Sequence, residues 1–310
     1  MKLYIARRLL LLLPLLMGIT FITFLLTKAL PGDPAYGLVG ERSNPETIEK
    51  IRKEIGADKG IVRQYAGYVS LLARGELGRS YYTNRKVLDD ILEKFPNTMR
   101  LALGAMLLSV PVGLALGLLS ALRKDSATDR LISGITISFL SVPVFWSGLI
   151  LMMIVSLWLR LVPPSGTGDI RYMMLPCLTL ALPSLATVAR VTRTSVLGVY
   201  RLPYVRTARA KGLTKARITA FHVMKSALIP VITIIGLDFA SYLNGAVLTE
   251  TIFGWDGIGR FTMEGIMKRD YPVIMGCIIT GTTVFVLVNL IMDVAYHIVD
   301  PRVRVHAEDR

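Results

Sequence analysis

Between Arg193 and Lys225 the chain contains no aspartate or glutamate, although its 310 residues include 22 of them. That stretch instead carries Arg193, Arg201, Arg206, Arg209, Lys211, Lys215, Arg217 and Lys225. A basic, water-exposed segment set between apolar runs is retained on the cytoplasmic side of a membrane. Other absences exclude whole classes of chemistry. The dipeptide Gly-Lys does not occur, so there is no G-x-x-x-x-G-K-[ST] phosphate loop and no ATP binding by that device. The three histidines, His222, His297 and His306, show no metal-ligand spacing and no H-E-x-x-H, so neither a metal nor another cofactor is expected. No G-x-S-x-G nucleophile elbow occurs. The two cysteines, Cys177 and Cys277, lie inside apolar runs, which fits small buried residues and no disulfide framework. There is no repeat of 20–50 residues and no inverted repeat of the kind found in many secondary transporters.

What is present is apolar length. The chain is 53% hydrophobic with a mean hydropathy of +0.53. Crossing a bilayer takes roughly 20 apolar residues. Six runs qualify: Leu9–Leu30, Thr98–Leu122, Ile132–Leu159, Met173–Leu197, Ala227–Leu248 and Pro272–Val299. The fourth is interrupted by Pro176 and Pro183, which a span tolerates if neighbours satisfy the freed backbone. The first follows a short basic stretch, Met1–Arg8, but is too long for a signal-peptide core and has no small-residue cleavage site, so a retained helix is expected. The net charge of +14 does not indicate nucleic acid, because the excess of basic over acidic residues falls in short segments on one side, while the basic residues elsewhere are nearly balanced by acids. Residues 1–8, 123–131, 190–226 and 300–310 are the richest, which places both termini inside. The expected fold is an all-α integral membrane protein of six transmembrane helices, N-in and C-in.

The chain divides into an N-terminal segment with the first span (1–30), a loop domain (31–97) and a core of five spans (98–310). The loop domain has structure of its own. Asn44-Pro45-Glu46 is a helix start and Gly56 a stop. Ile61–Ala73 repeats apolar residues at helical spacing, and Asn84–Phe95 reads as a third short helix. Together they predict a helical cap on the outer face. A second outer loop, Glu250–Tyr271, contains Phe253-Gly-Trp-Asp-Gly-Ile-Gly259. Its glycines suggest a tightly shaped loop with an aromatic tip at Trp255, either touching a partner or anchoring at the membrane surface.

In the basic segment, Pro203 starts a helix, Gly212 breaks it, and Thr214 caps a second helix over Leu213–Lys225. Taken alone, such a basic amphipathic stretch also fits a helix lying on the membrane surface. Intramembrane carboxylates are functional candidates, here Asp238 and Asp293, the latter also placed for snorkelling or pairing. Ser138, Ser141, Asp238, Ser241, Tyr242 and Asn244 are polar groups that lipid penalises, and they are candidates for a hydrated pathway.

Tyr204-Val-Arg-Thr-Ala-Arg-Ala-Lys-Gly-Leu213, His222 and Ala227-Leu-Ile-Pro-Val-Ile232 resemble the cytoplasmic loop of ABC-importer membrane subunits, closest to the dipeptide/oligopeptide/nickel permease family. The likeness extends to Leu30-Pro-Gly-Asp-Pro34, Gly75-Glu-Leu-Gly78, Asp129-Arg130, Glu250–Arg260, Arg269–Val273 and Asp300-Pro-Arg302, in order along nearly the whole chain. The superfamily's Glu-Ala-Ala is here Arg206-Thr207-Ala208, so a glutamate contact to an ATPase is not carried over. The resemblance implies a type I importer permease fold without enzymatic activity of its own. It also implies a second homologous permease subunit, two cytoplasmic ABC ATPases and an extracytoplasmic solute-binding protein, all assembled in the lipid bilayer of a bacterial inner membrane. Coupling to the ATPase would fall within residues 193–226, on Pro203, Tyr204, Val205, Arg206, Thr207, Ala208, Arg209 and Gly212. Contact with the binding protein would fall on Phe253, Trp255, Asp256 and Arg260. The rival reading is an ion-coupled secondary transporter, which calls for repeats and a connected set of intramembrane charges.

Overall fold

The computed structural model describes residues 2–29, 35, 44–54, 56, 58–244 and 246–299. Leu30–Pro34 and Asp300–Arg302 lie outside the described residues, as does the side chain of Asp293. Every element is helical, with one isolated bridge, Arg79 to Lys86, among the described residues. In order they are α1 Lys2–Ala29, α2 Pro45–Glu54, α3 Ile61–Ala73, α4 Val87–Leu122, α5 Ala127–Ser141, α6 Val144–Trp158, α7 Ile170–Val199, α8 Pro203–Ala210, α9 Lys215–Leu243, α10 Val247–Ile252, α11 Ile258–Lys268 and α12 Tyr271–Val299. Five, α1, α4, α7, α9 and α12, are long and apolar enough to cross a membrane, and α5 with α6 makes a sixth candidate.

Three features differ from the sequence expectation. The third apolar run is not one rod: α5 and α6 meet at an angle of 101°. Pro143 is the cause. It forces Val142 into extended backbone (φ −91°, ψ 127°) and cannot donate into the preceding turn. The expected short helix Asn84–Phe95 is not separate; it starts at Val87 and continues into the span as α4. Likewise the second helix of the basic segment does not end before the next span. It begins at Thr214, whose hydroxyl accepts the Arg217 N–H, passes through a π-helical stretch at Ile218–Val223 and continues as α9. Pro176 and Pro183 leave α7 unbroken, where the Thr179 and Thr187 hydroxyls donate back to the carbonyls of Leu175 and Pro183.

The chain forms two compact units. One comprises residues 1–99 and 243–286. Its core packs Val87, Ile91, Ile258, Val273 and Cys277 against Leu77, Phe95 and Phe261. The other comprises residues 100–242 and 287–310. Within it, α4 and α7 touch backbone to backbone. A Cβ added at Gly113 would lie 2.9 Å from the Leu185 carbonyl oxygen and from Val188, and one at Gly117 would collide with the Ala189 carbonyl. Gly113-x-x-x-Gly117 is thus a small-residue seam of the kind that lets membrane helices approach closely.

Candidate functional site

The basic segment folds as a short helix seated on its own unit. Pro203 opens α8 at the first position, where a missing N–H costs nothing, and Gly212 ends it at φ +79°. Val205 and Ala208, three residues apart, share one face. They are 1% and 7% exposed, packed with Ala121 of α4, Val196 of α7, and Ile218, Val223 and Ala227 of α9. They are therefore not part of a docking surface, which corrects the expectation for those two positions: they are the only residues of α8 that the helix buries, and their side chains seat it. Tyr204, Arg206, Thr207 and Arg209 face outward. The Tyr204 hydroxyl donates to Ser226 Oγ at 3.1 Å, while Tyr200 and Thr219 share a short hydroxyl contact.

Arg193 was expected to be exposed with the other basic residues. It instead closes a clamp between α5 and α7. Its Nε and Nη2 donate to the two carboxylate oxygens of Asp129 at 2.8 and 2.7 Å. Asp129 is 3% exposed and also accepts from the Asp125 N–H at 2.9 Å and from the Ser120 hydroxyl. Sequence order separates the two charges by 64 positions, which hid the pairing.

The pathway candidates do not form one cluster. Asp238 accepts from Ser184 at 2.7 Å, and the Tyr242 hydroxyl donates to the Leu180 carbonyl at 2.7 Å, so both tie α9 to α7. Ser138 and Ser141 are exposed on α5 and return their hydroxyls to Gly134 and Ile137. Ser241 is exposed on α9, and Asn244 belongs to the other unit.

In that unit, the glycine-rich loop after α10 turns inward. Phe253 and Trp255 are 1% and 3% exposed, and the Trp255 indole N–H donates to the Asn97 carbonyl at 3.0 Å. Trp255 is therefore neither an exposed tip nor a surface anchor: the loop's glycines bring the ring down onto α4. Glu250, fully buried, organises the loop. Its carboxylate accepts from the Thr98 hydroxyl at 2.9 Å and from the Arg260 N–H at 3.0 Å, and Thr98 in turn accepts the Ile258 N–H. A side chain at Gly257 or Gly259 would strike this carboxylate. Burial holds the Glu250 carboxyl above its ordinary range, against the pull of those hydrogen bonds. Asp256 is bound by Lys94 at 2.6 Å, and Arg260 donates to Glu264 and to the Gly254 carbonyl. Only Asp256 and Arg260 of the four expected partner-contact residues keep appreciable exposure. Among the described residues no group of three acidic, cysteine or histidine side chains could hold a metal ion.

The described residues form apolar helices, a seated basic helix and a buried ion pair. Residues 113–305 match the family described as binding-protein-dependent transport system inner membrane component, and residues 1–102 match the corresponding N-terminal family. The di/tripeptide transport system permease protein DppB of Pseudomonas aeruginosa (strain UCBPP-PA14) is 40% identical, over 97% of this chain and 98% of the relative. The glutathione transport system permease protein GsiC of Escherichia coli (strain K12) is 36% identical over the same shares. Among solved structures, an inward-facing MetNI methionine ABC transporter chain aligns with a TM-score of 0.59 at 14% identity, covering 68% of this chain and 96% of its own. The chain belongs to the family of binding-protein-dependent transport system inner membrane components: it is a multi-pass permease subunit of an ABC importer, not itself an enzyme.

Proposed function

We propose that this permease pairs with a second, homologous permease subunit, each forming half of the pathway, and that it imports short peptides or a peptide-like solute such as glutathione. The names of the relatives support that cargo class. In this reading the chain crosses the membrane six times with both termini cytoplasmic. α2 and α3 form a cap on the outer face, where an extracytoplasmic binding protein delivers the solute. Two cytoplasmic ATPases dock from below.

The observation that carries the coupling is the division of α8 into two faces. Val205 and Ala208 bind it to α4, α7 and α9, while Tyr204, Arg206, Thr207 and Arg209 are turned out for an ATPase groove. ATP binding, by closing the ATPase pair, moves α8 as a rigid piece. The buried face passes that movement to the three spans it touches, and the pathway opens toward the outside. ATP can drive this only by binding one state better than the other. Cysteines at 204, 206 and 209 should cross-link to an ATPase in a nucleotide-dependent way, whereas a cysteine at 205 should not react. Failure of all three exposed positions to reach an ATPase would sink the proposal. For cargo, unlabelled dipeptides should compete with uptake in the reconstituted complex and free amino acids should not.

A further inference from the structure

Within the unit of residues 1–99 and 243–286 lies a cavity of about 530 Å³ that the transport reading does not use. Four cationic residues line it, Lys28, Lys59, Arg63 and Arg79, and no carboxylate does among the described lining residues. Asp270 is buried behind the wall and accepts from the Ser80 hydroxyl at 2.6 Å and the Tyr81 N–H at 3.2 Å, while Asp58 and Glu76 adjoin lining residues in sequence without lining the cavity themselves. Lys28 lies over the Tyr271 ring at 5.0 Å, and Arg79 donates to the Asn84 carbonyl at 2.8 Å. Lys59 and Arg63 are exposed. Burial pushes the Tyr81 hydroxyl up to about 12, so it stays a neutral donor. The wall also carries an apolar part, Phe24, Leu71, Leu77, Pro272 and Met275, beside the polar Gln64, Ser80 and Asn84.

Depth selects the ligand. Phe24 and Lys28 occupy the final turns of α1, and Tyr271 and Met275 the first turns of α12, two helices able to span the bilayer. The ends of such spans lie at headgroup level, where lysine and arginine side chains bury their stems and reach the charged headgroups. We propose that this cavity binds the phosphodiester of an anionic glycerophospholipid, with the cations and hydroxyls around the phosphate and the apolar wall against the glycerol and upper acyl carbons. A soluble phosphate would satisfy the same cations but leave the apolar wall unused.

The test uses the intact transporter complex in nanodiscs of phosphatidylcholine with a minor fraction of phosphatidylglycerol, with retained lipid counted by native mass spectrometry. In K59Q/R63Q, phosphatidylglycerol retention should fall about fivefold for each charge removed. The charge-keeping K59R/R63K should retain it, and excess inorganic phosphate or glycerol phosphate should not displace it. Both positions are exposed, so the fold tolerates these changes, and each single substitution gives an independent reading should the double variant fail to assemble. Unchanged retention overturns the proposal. Displacement by inorganic phosphate assigns the cavity to a soluble anion and overturns the lipid source. Unchanged lipid with weakened affinity for the binding protein assigns it to a carboxylate of that protein, and equally overturns it.

Discussion

Arg193 grips Asp129 with two parallel hydrogen bonds, of 2.8 and 2.7 Å, so one planar cation joins the start of α5 to the last third of α7. Asp129 is further held by Ser120 at the end of α4, and the three helices meet at a single carboxylate. A bidentate pair of this kind fixes angle as well as distance. Ser120 and Arg193 are close in sequence to Ala121 and Val196, which pack against α8, so the clamp braces the helix ends on which α8 is seated.

Asp129→Asn leaves a guanidinium without its charge partner. Breaking a buried pair by removing one member costs about 3–5 kcal/mol, discounted here because Arg193 remains 29% exposed. We expect a lower thermal midpoint of the assembled complex. Arg193→Lys should not restore the wild-type value, because an ammonium cannot make the fork. A midpoint for R193K equal to wild type would show that charge alone suffices.

The two faces of α8 should separate under mutation. Val205→Asp places an unpaired charge in the core of Val196, Ile218 and Val223, and should abolish assembly. Arg206→Glu and Arg209→Glu lie on the exposed face. They should leave assembly and thermal stability within about 0.5 kcal/mol while lowering transport per ATP hydrolysed. The measurement is paired uptake and ATPase rates in proteoliposomes.

Gly117→Val puts a branched side chain against the backbone of α7 at Ala189. Overpacking at such a seam costs about 1–3 kcal/mol or more. A reduced yield of complex is expected, with a smaller loss for Gly117→Ala. Equal yields for both variants would mean that α4 and α7 separate freely.

Trp255→Ala should remove about 3–5 kcal/mol of packing. Basal and binding-protein-stimulated ATPase activity should fall together, in line with the amount of folded complex. A selective loss of stimulation would show that the ring acts on a partner despite its burial.

Glu250 sets a pH dependence. Burial raises its carboxyl above the unfolded value of about 4.3. The folded state therefore binds the proton more tightly than the unfolded chain. The resulting stabilisation is complete below the unfolded pKa and is lost as pH rises through the folded one. Glu250→Gln should flatten thermal stability across this window. A profile unchanged from wild type would place the titration elsewhere.

Punctuation residues were legible in the sequence because their effect is local. Pro203, Gly212 and Thr214 mark helix ends where each was expected, and the helix Ile61–Ala73 forms over the residues whose spacing announced it. The apolar length of the spans was legible for the same reason. Long-range partners were not. Nothing near Trp255 signals that its indole meets a carbonyl at Asn97, and nothing near Arg193 signals Asp129. Two misreadings had signals available. Val205 and Ala208 already stood at inward helical spacing, and Pro143 already followed Val142 within a run read as one rod.

The loop that carries Trp255 docks on a carbonyl placed 158 residues earlier in the chain. During synthesis, therefore, residues 2–99 leave the ribosome with their core unfinished. Val87 and Ile91 wait for Ile258, Val273 and Cys277, which arrive only after most of the other unit has been made. Completion of this core therefore waits on synthesis of α11 and the start of α12, although its first members belong to α4.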